Sequence, residues 1–273
     1  MSPVMQSWIE TLGVVCLAVL GTVTGLRCSR LRGPWWLVGY AVPMLFVVVV
    51  SLVRRFPQLE LEPPFAWVVA GRMEFALLAF FCTLLLTTPL SRLPHRRQRI
   101  MILVLMVVAV GQSSIVPFVS PAFNYRYLEG LQTMIDADGV CLQNNGYTCG
   151  SAAAVTVLRR MGIEAEEGQL AIGGRTTRFT GTPPDLLCLA IQKQHGIRCR
   201  FVCVRDIEEL RGREPFIALI KFGFLVDHYV AILRIGTSTV EVGDPLNGKV
   251  EIPYDQFAHK WRRCAIVLDT TTR

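Results

Sequence analysis

The sequence predicts an α+β domain with an antiparallel sheet, preceded by an all-α bundle of four membrane-crossing helices. Three observations carry this expectation. Four apolar runs fill the first 120 residues, at about 8–26, 34–53, 65–90 and 100–119. Beyond residue 140 the helical patterns come first and strand patterns follow one another in sequence, the order of an α+β domain rather than of alternating βα units. The charges are also divided: ten arginines stand against four acidic residues before residue 121, and eighteen basic against seventeen acidic residues after it.

Each of the four runs is near the roughly 20 residues needed to cross a bilayer core of about 30 Å. Four such runs in 120 residues would have nothing to bury against as core helices of a soluble domain. No Lys or Arg precedes the first run, which argues against a cleaved signal peptide. Arg27, Arg30 and Arg32 follow the first run, and Arg92, Arg96, Arg97 and Arg99 precede the fourth. Arg54 and Arg55 are offset by Glu60 and Glu62. Positive-inside bias therefore puts the first and third loops in the cytoplasm and both chain ends outside. The expected setting is a multi-pass protein of a bacterial inner membrane, with its C-terminal domain on the extracytoplasmic side. Glu10 and Arg72 fall near the outer ends of their spans, where they can pair or, with Glu74, reach interfacial water. Residues 121–139 read as a juxtamembrane connector, with Tyr125 and Tyr127 suited to the headgroup layer. The basic excess lies on the apolar half and not on the folded domain, which excludes nucleic acid as the partner.

In the second domain, 140–273, a helix is expected over 148–161 with Gly162 as its stop. A second starts at the Thr182-Pro183-Pro184-Asp185 cap and runs to about His195, with Gly196 ending it. Strands are expected at 197–204, 216–222, 228–235, 239–244, 249–252 and 264–268, and a short helix at 253–261.

The stretch CLQNNGYTCG, residues 141–150, puts Cys149 in the first turn of a helix of small residues. Unpaired N–H groups and the positive end of the helix dipole there favour a thiolate. Gly150 would keep the approach to the sulfur open. Gln143 can fold back so that its amide joins the Cys149 N–H in facing a developing oxyanion. A buried structural cysteine is the bland alternative. A thiolate nucleophile needs a base, and the base an orienting group. His228 begins one predicted strand and Asp244 ends the next, so a hairpin around Gly236 would bring them together. His228, Val230 and Ile232 share one face, as do Val240, Val242 and Asp244, so the register that buries the four apolar residues puts imidazole and carboxylate on the same side. A two-residue turn at Gly236-Thr237 would break this parity, and an odd-length loop is predicted. Asp227 also adjoins His228 but points to the opposite face of the strand.

Gln143, the Cys149-Gly150 pair with its small-residue helix, His228-Tyr229-Val230 and Asp244-Pro245 with Asn247-Gly248 resemble the bacteriocin-processing peptidase family. These are papain-like cysteine peptidases that cut after a double glycine in leader peptides. The resemblance covers about 140–268. It implies Cys149 as nucleophile, His228 as general base and then acid, Asp244 as orienter and Gln143 as oxyanion donor. The sequence departs from the family at Thr148, where Asp is frequent. Well-known members also sit at the cytoplasmic start of an ABC exporter, whereas no ATPase follows here, and a separate ABC exporter is left open as a partner.

Other motifs read as structural. Residues 243–249 mimic the spacing of a phosphate-binding loop, but Val250 replaces the magnesium-holding Ser/Thr and a strand follows instead of a helix. Cys199 and Cys203 are expected to line the core; four residues apart on a strand, they lie about 13 Å from each other and cannot bond. Cys141, Cys188 and Cys264 are left as candidates for pairing. Cysteine and histidine spacings do not suit zinc. His95, His195 and His259 belong to a basic loop, a helix end and a short helix. The expected function is a membrane-anchored cysteine peptidase acting on small exported or double-glycine-type peptides without cofactor, with a peptide substrate and the lipid bilayer as its partners. Two alternatives stay open: a silent peptide-binding domain, or another thiol acyl-transfer enzyme such as an amidase, transglutaminase or cell-wall peptide hydrolase.

Overall fold

The structure, a computed structural model, describes residues 3–56, 59, 63–69, 72–223 and 226–269. It divides into two compact units, Met1–Phe123 and Asn124–Arg273. Glu60 and Glu62, residues 70–71 of the third apolar run and 270–273 lie outside the described residues.

The first unit is helical: α1 (Pro3–Ser29), α2 (Val38–Arg55) entered through a 3-10 turn at Gly33–Leu37, α3 (Phe65–Val69), α4 (Met73–Thr87) and α5 (Arg96–Val110). A π-turn at Gly111–Ile115 continues α5 into α6 (Val116–Glu129). Among the described residues, three helical stretches are long and apolar enough to cross a membrane: Val4–Ser29, Gly33–Val53 and Arg96–Glu129. The third predicted run instead holds two shorter helices, of which α4 has 15 residues. The start of the predicted connector is also helical, because Pro121 is accommodated inside α6.

Close backbone approach organises this unit. A Cβ on Gly21 would fall 2.2 Å from Thr83 Oγ1 and 2.3 Å from the Phe80 carbonyl, and one on Gly25 would fall 2.0 Å from Thr87 Oγ1. Glycines four apart on α1 thus seat against threonines four apart on α4, the small-residue packing that holds helices together where solvent supplies no hydrophobic drive. The threonine hydroxyls are already satisfied within α4: Thr83 donates to the Ala79 carbonyl at 2.8 Å and Thr87 to that of Thr83 at 2.6 Å. The expectation that Arg72 and Glu74 reach water is corrected: both are buried, and Arg72 Nη1 donates to the Pro117 carbonyl at 2.9 Å. An arginine in an apolar bundle is held where a carbonyl can receive it.

The second unit opens with a two-stranded ribbon, β1 (Met134–Ile135) and β2 (Cys141–Leu142), followed by α7 (Cys149–Arg160), α8 (Glu167–Gly173) and α9 (Pro184–His195). Gly162 and Gly196, at φ of +77° and +70°, supply the left-handed residues that end α7 and α9. Then come β3 (Arg198–Cys203), β4 (Phe216–Gly223), β5 (Val226–Ile235), β6 (Thr239–Asp244), β7 (Gly248–Pro253), α10 (Tyr254–Lys260) and β8 (Trp261–Asp269). The six strands form one antiparallel sheet in the order β3-β8-β4-β5-β6-β7. Both faces are covered. Ile217, Leu219, Tyr229 and Ala231 pack against α7 and α9, while Phe216, Val230, Ile232, Val240 and Val242 pack with Ile207, Leu210 and Phe257 on the other side. This explains why 216–220 and 229–233 are continuous apolar runs rather than alternating ones.

Two cysteine expectations change. Cys203 does not simply line the core: it is disulfide-bonded to Cys264, its register partner across β3 and β8. Cys141 and Cys188 are free. The pairing was invisible beforehand because sequence periodicity does not say which strands are neighbours.

Gly25→Ala should destabilise the first unit by about 1–3 kcal/mol through overpacking against Thr87. Gly13→Ala should not, since nothing lies within 4 Å of a Cβ there. Denaturation midpoints of the full chain in detergent check this; equal midpoints for the two variants would contradict the packing.

Candidate active site

The site is assembled at one end of the sheet. Asp136, on the turn between β1 and β2, accepts the Val140 N–H at 2.8 Å and leads the chain into the loop that carries Gln143. The Gln143 N–H donates to the Pro245 carbonyl at 2.9 Å, pinning that loop beside the residue that follows Asp244. Asn145 then gathers the loop. Its carbonyl accepts from Gln143 Nε2 at 2.8 Å, from Thr148 N at 3.3 Å and from Thr148 Oγ1 at 3.2 Å. Thr148, fully buried, is thus spent on closing the loop. One N–H of the Gln143 amide remains for another acceptor.

Cys149 is the first residue of α7 and is half-buried. Gly150 serves a purpose other than the one expected. A Cβ there would meet Thr182 Cβ and Tyr229 Cδ2, both at 3.3 Å, so the glycine lets the helix start press against those two residues instead of leaving space open. The Tyr229 hydroxyl donates to the Thr182 carbonyl at 3.0 Å and fastens the start of α9 to β5.

His228 and Asp244 meet as the strand parity requires, but by a different device. The connection between β5 and β6 is three residues, 236–238, odd as expected, but Gly236 N–H bonds the Thr239 carbonyl at 2.8 Å, so the backbone pairing carries on around a two-residue turn at Thr237-Ser238. The odd residue lies within the strand: the pairing shifts between Ile232↔Val242 and Arg234↔Glu241, leaving Leu233 as a β-bulge. The bulge restores the register in which Ile232 faces Val242, and His228 Nε2 lies 2.7 Å from Asp244 Oδ1. Asp227 is held elsewhere, by Arg262 Nε at 2.7 Å.

The carboxylate is itself fixed. Asp244 accepts from the Leu246 N–H at 3.0 Å and from Asn247 Nδ2 at 2.7 Å. Burial opposes its charge, but the bonds from His228, Leu246 and Asn247 prevail and hold the carboxyl below its ordinary range. On the other side of the ring, the Cys149 sulfur is within hydrogen-bonding reach. His228 is only 4% exposed. Burial works against a protonated ring, yet Asp244 and Cys149 together raise its pKa from 6.5 to about 9. With Nε2 engaged by Asp244, Nδ1 is the nitrogen left to exchange a proton with the sulfur. The imidazole therefore reaches both the sulfur and the carboxylate, an arrangement able to carry nucleophilic attack and proton return. Tyr229 and the buried Glu167, which bonds Asn144, also shape this neighbourhood. The sequence offered Tyr229 only as the motif neighbour of His228 and gave no sign of Glu167, which lies in an acidic, loop-like stretch.

Fold and constellation together define the class as cysteine-peptidase-like. Residues 138–273 match the Peptidase C39 family. An uncharacterised protein of Methanothermobacter marburgensis is 30% identical over 128 residues, covering 47% of this chain and 86% of that protein. Another, from Methanothermobacter thermautotrophicus, is 27% identical over 139 residues, covering 51% and 94%. Among solved structures, the peptidase domain of Streptococcus ComA, a bifunctional ABC transporter of a quorum-sensing pathway, is 22% identical with a TM-score of 0.42, covering 46% of this chain and 94% of that one. A double-glycine-motif protease from an AMS/PCAT transporter, in complex with the leader peptide, is 18% identical with a TM-score of 0.42, covering 50% and 91%. The chain belongs to the peptidase C39 family.

Because the folded pKa of His228 is raised, the stabilisation it brings is complete below about pH 6.5 and is lost as pH rises through about 9. Asp244→Ala removes the main acceptor and leaves the burial. Histidine-selective NMR of the full chain in micelles should show His228 titrating at about 9 in the parent and clearly lower in the variant; identical titrations would contradict this account.

Proposed function

We propose that the protein is a membrane-anchored cysteine peptidase that cleaves small exported peptides of the double-glycine type. The observation that carries the reading is His228 placed between the Cys149 sulfur and the Asp244 carboxylate. Cys149, delivering its proton to His228, attacks the scissile carbonyl. The Gln143 amide and the Cys149 N–H receive the negative charge that forms on oxygen. His228 then passes its proton to the leaving amine, and an acyl-enzyme remains on sulfur. Water, deprotonated by the now neutral imidazole, adds to the thioester and releases the peptide acid and the thiol. Asp244 keeps the ring oriented throughout.

The apolar helices of the first unit anchor the chain, with the arginine-rich first and third loops in the cytoplasm and the peptidase unit at the outer face. A separate ABC exporter is the natural source of its peptides. Support for the substrate class is family resemblance together with the site motifs; support for anchoring is the length and apolarity of the three long helices.

The test is cleavage of fluorogenic Gly-Gly peptides by the full chain in detergent. Cys149→Ala should abolish turnover, and Gln143→Ala should lower kcat by about 100- to 1,000-fold with little change in KM. Turnover that survives Cys149→Ala, or a Gln143→Ala loss confined to KM, would contradict the assignment.

A further inference from the structure

Glu167 is fully buried, at 0% exposure, and belongs to none of the chemical steps above. Its carboxylate is directed at one residue. Oε1 accepts the Asn144 N–H at 3.1 Å and Oε2 accepts from Asn144 Nδ2 at 2.5 Å. Asn144 immediately follows Gln143. The carboxylate is fixed in turn: the Glu167 N–H donates to Thr133 Oγ1 at 2.9 Å, and a Cβ on the next residue, Gly168, would stand 2.1 Å from the Leu128 carbonyl. Asn144 Nδ2 also donates to the Gln132 carbonyl at 2.9 Å, so both N–H groups of its amide are committed. A buried carboxylate is expensive unless its acceptors are filled, and here both oxygens are filled from the oxyanion loop.

We propose that Glu167 is a positioning residue for oxyanion stabilisation, acting through Asn144 to hold Gln143 beside the Cys149 sulfur. Together with the Gln143 N–H bond to Pro245, it clamps the donor from both sides, tying it to the segment that carries Asp244. This inference rests on the peptidase reading above.

Two probes separate positioning from general support. Acetyl-Gly-glycinal adds to the sulfur as a thiohemiacetal: the S–C bond forms, the carbonyl pair moves to oxygen, and that oxygen needs the amide donor before it takes the thiol proton. Iodoacetamide alkylates the same sulfur with loss of iodide and develops no oxyanion. Glu167→Gln sets an NH₂ against the Asn144 NH₂. In the full chain it should weaken aldehyde binding by about 10- to 100-fold, the penalty of misplacing a catalytic group, while the rate of Cys149 alkylation stays at the parent value. Adding Asn144→Asp exchanges donor and acceptor and should recover part of the aldehyde affinity. Unchanged aldehyde binding in Glu167→Gln overturns the inference, and so does a parallel change in aldehyde binding and alkylation, which would make Glu167 a support of the fold alone. A parent protein that binds no aldehyde, with alkylation indifferent to His228→Ala, overturns the peptidase reading itself.

Discussion

The proposed chemistry depends on a single hydrogen bond, between His228 Nε2 and Asp244 Oδ1 at 2.7 Å, formed where burial disfavours a charged ring. Without the carboxylate, a ring so enclosed would shed its proton and be free to turn. With it, the imidazole keeps one orientation and presents its second nitrogen to the sulfur. The rest of the second unit can be understood as what this bond requires. The β-bulge at Leu233 sets the register, Asn247 and the Leu246 N–H hold the carboxylate, and the helix carrying Cys149 is pressed close by the absence of a side chain at Gly150. The apolar cover on both faces of the sheet makes the register costly to slip, since a one-residue shift would exchange the residues of the two cores.

Much of this was legible in the sequence, for reasons that are local. Helix stops at Gly162 and Gly196 and the strands around His228 and Asp244 follow from turn chemistry and periodicity, which need no knowledge of distant neighbours. The meeting of His228 and Asp244 was also accessible, because side-chain parity along two consecutive strands is a matter of counting. The way parity is kept was not, because a bulge leaves no residue-type signature at Leu233. Features that depend on strand order or on tertiary burial were hidden. Cys203 and Cys264 are 61 residues apart and pair only because β3 lies beside β8. Glu167 looks like one more surface acid until the fold buries it against Asn144.

The first unit follows a different logic. Its helices carry apolar side chains outward, as Leu12, Leu45, Met101 and Val107 show, and keep small or polar residues such as Gly21, Gly25, Thr83 and Thr87 at the contacts. That inversion of a soluble domain's pattern is the one the proposed membrane anchoring calls for. The third apolar run, read from hydropathy as one span, holds two helices of 5 and 15 residues, with residues 70–71 between them outside the description. Hydropathy averages over a window and is blind to such breaks.

The central claim is that the sulfur of Cys149 and the imidazole of His228 act as one unit. The most direct measurement is the rate of Cys149 alkylation by iodoacetamide near neutral pH, compared between the parent chain and His228→Ala. The account predicts a loss of about tenfold or more when the imidazole is removed, since the ring is the base that takes the proton from the sulfur. Equal rates would mean that the two groups are neighbours without being partners, and the catalytic account would fail.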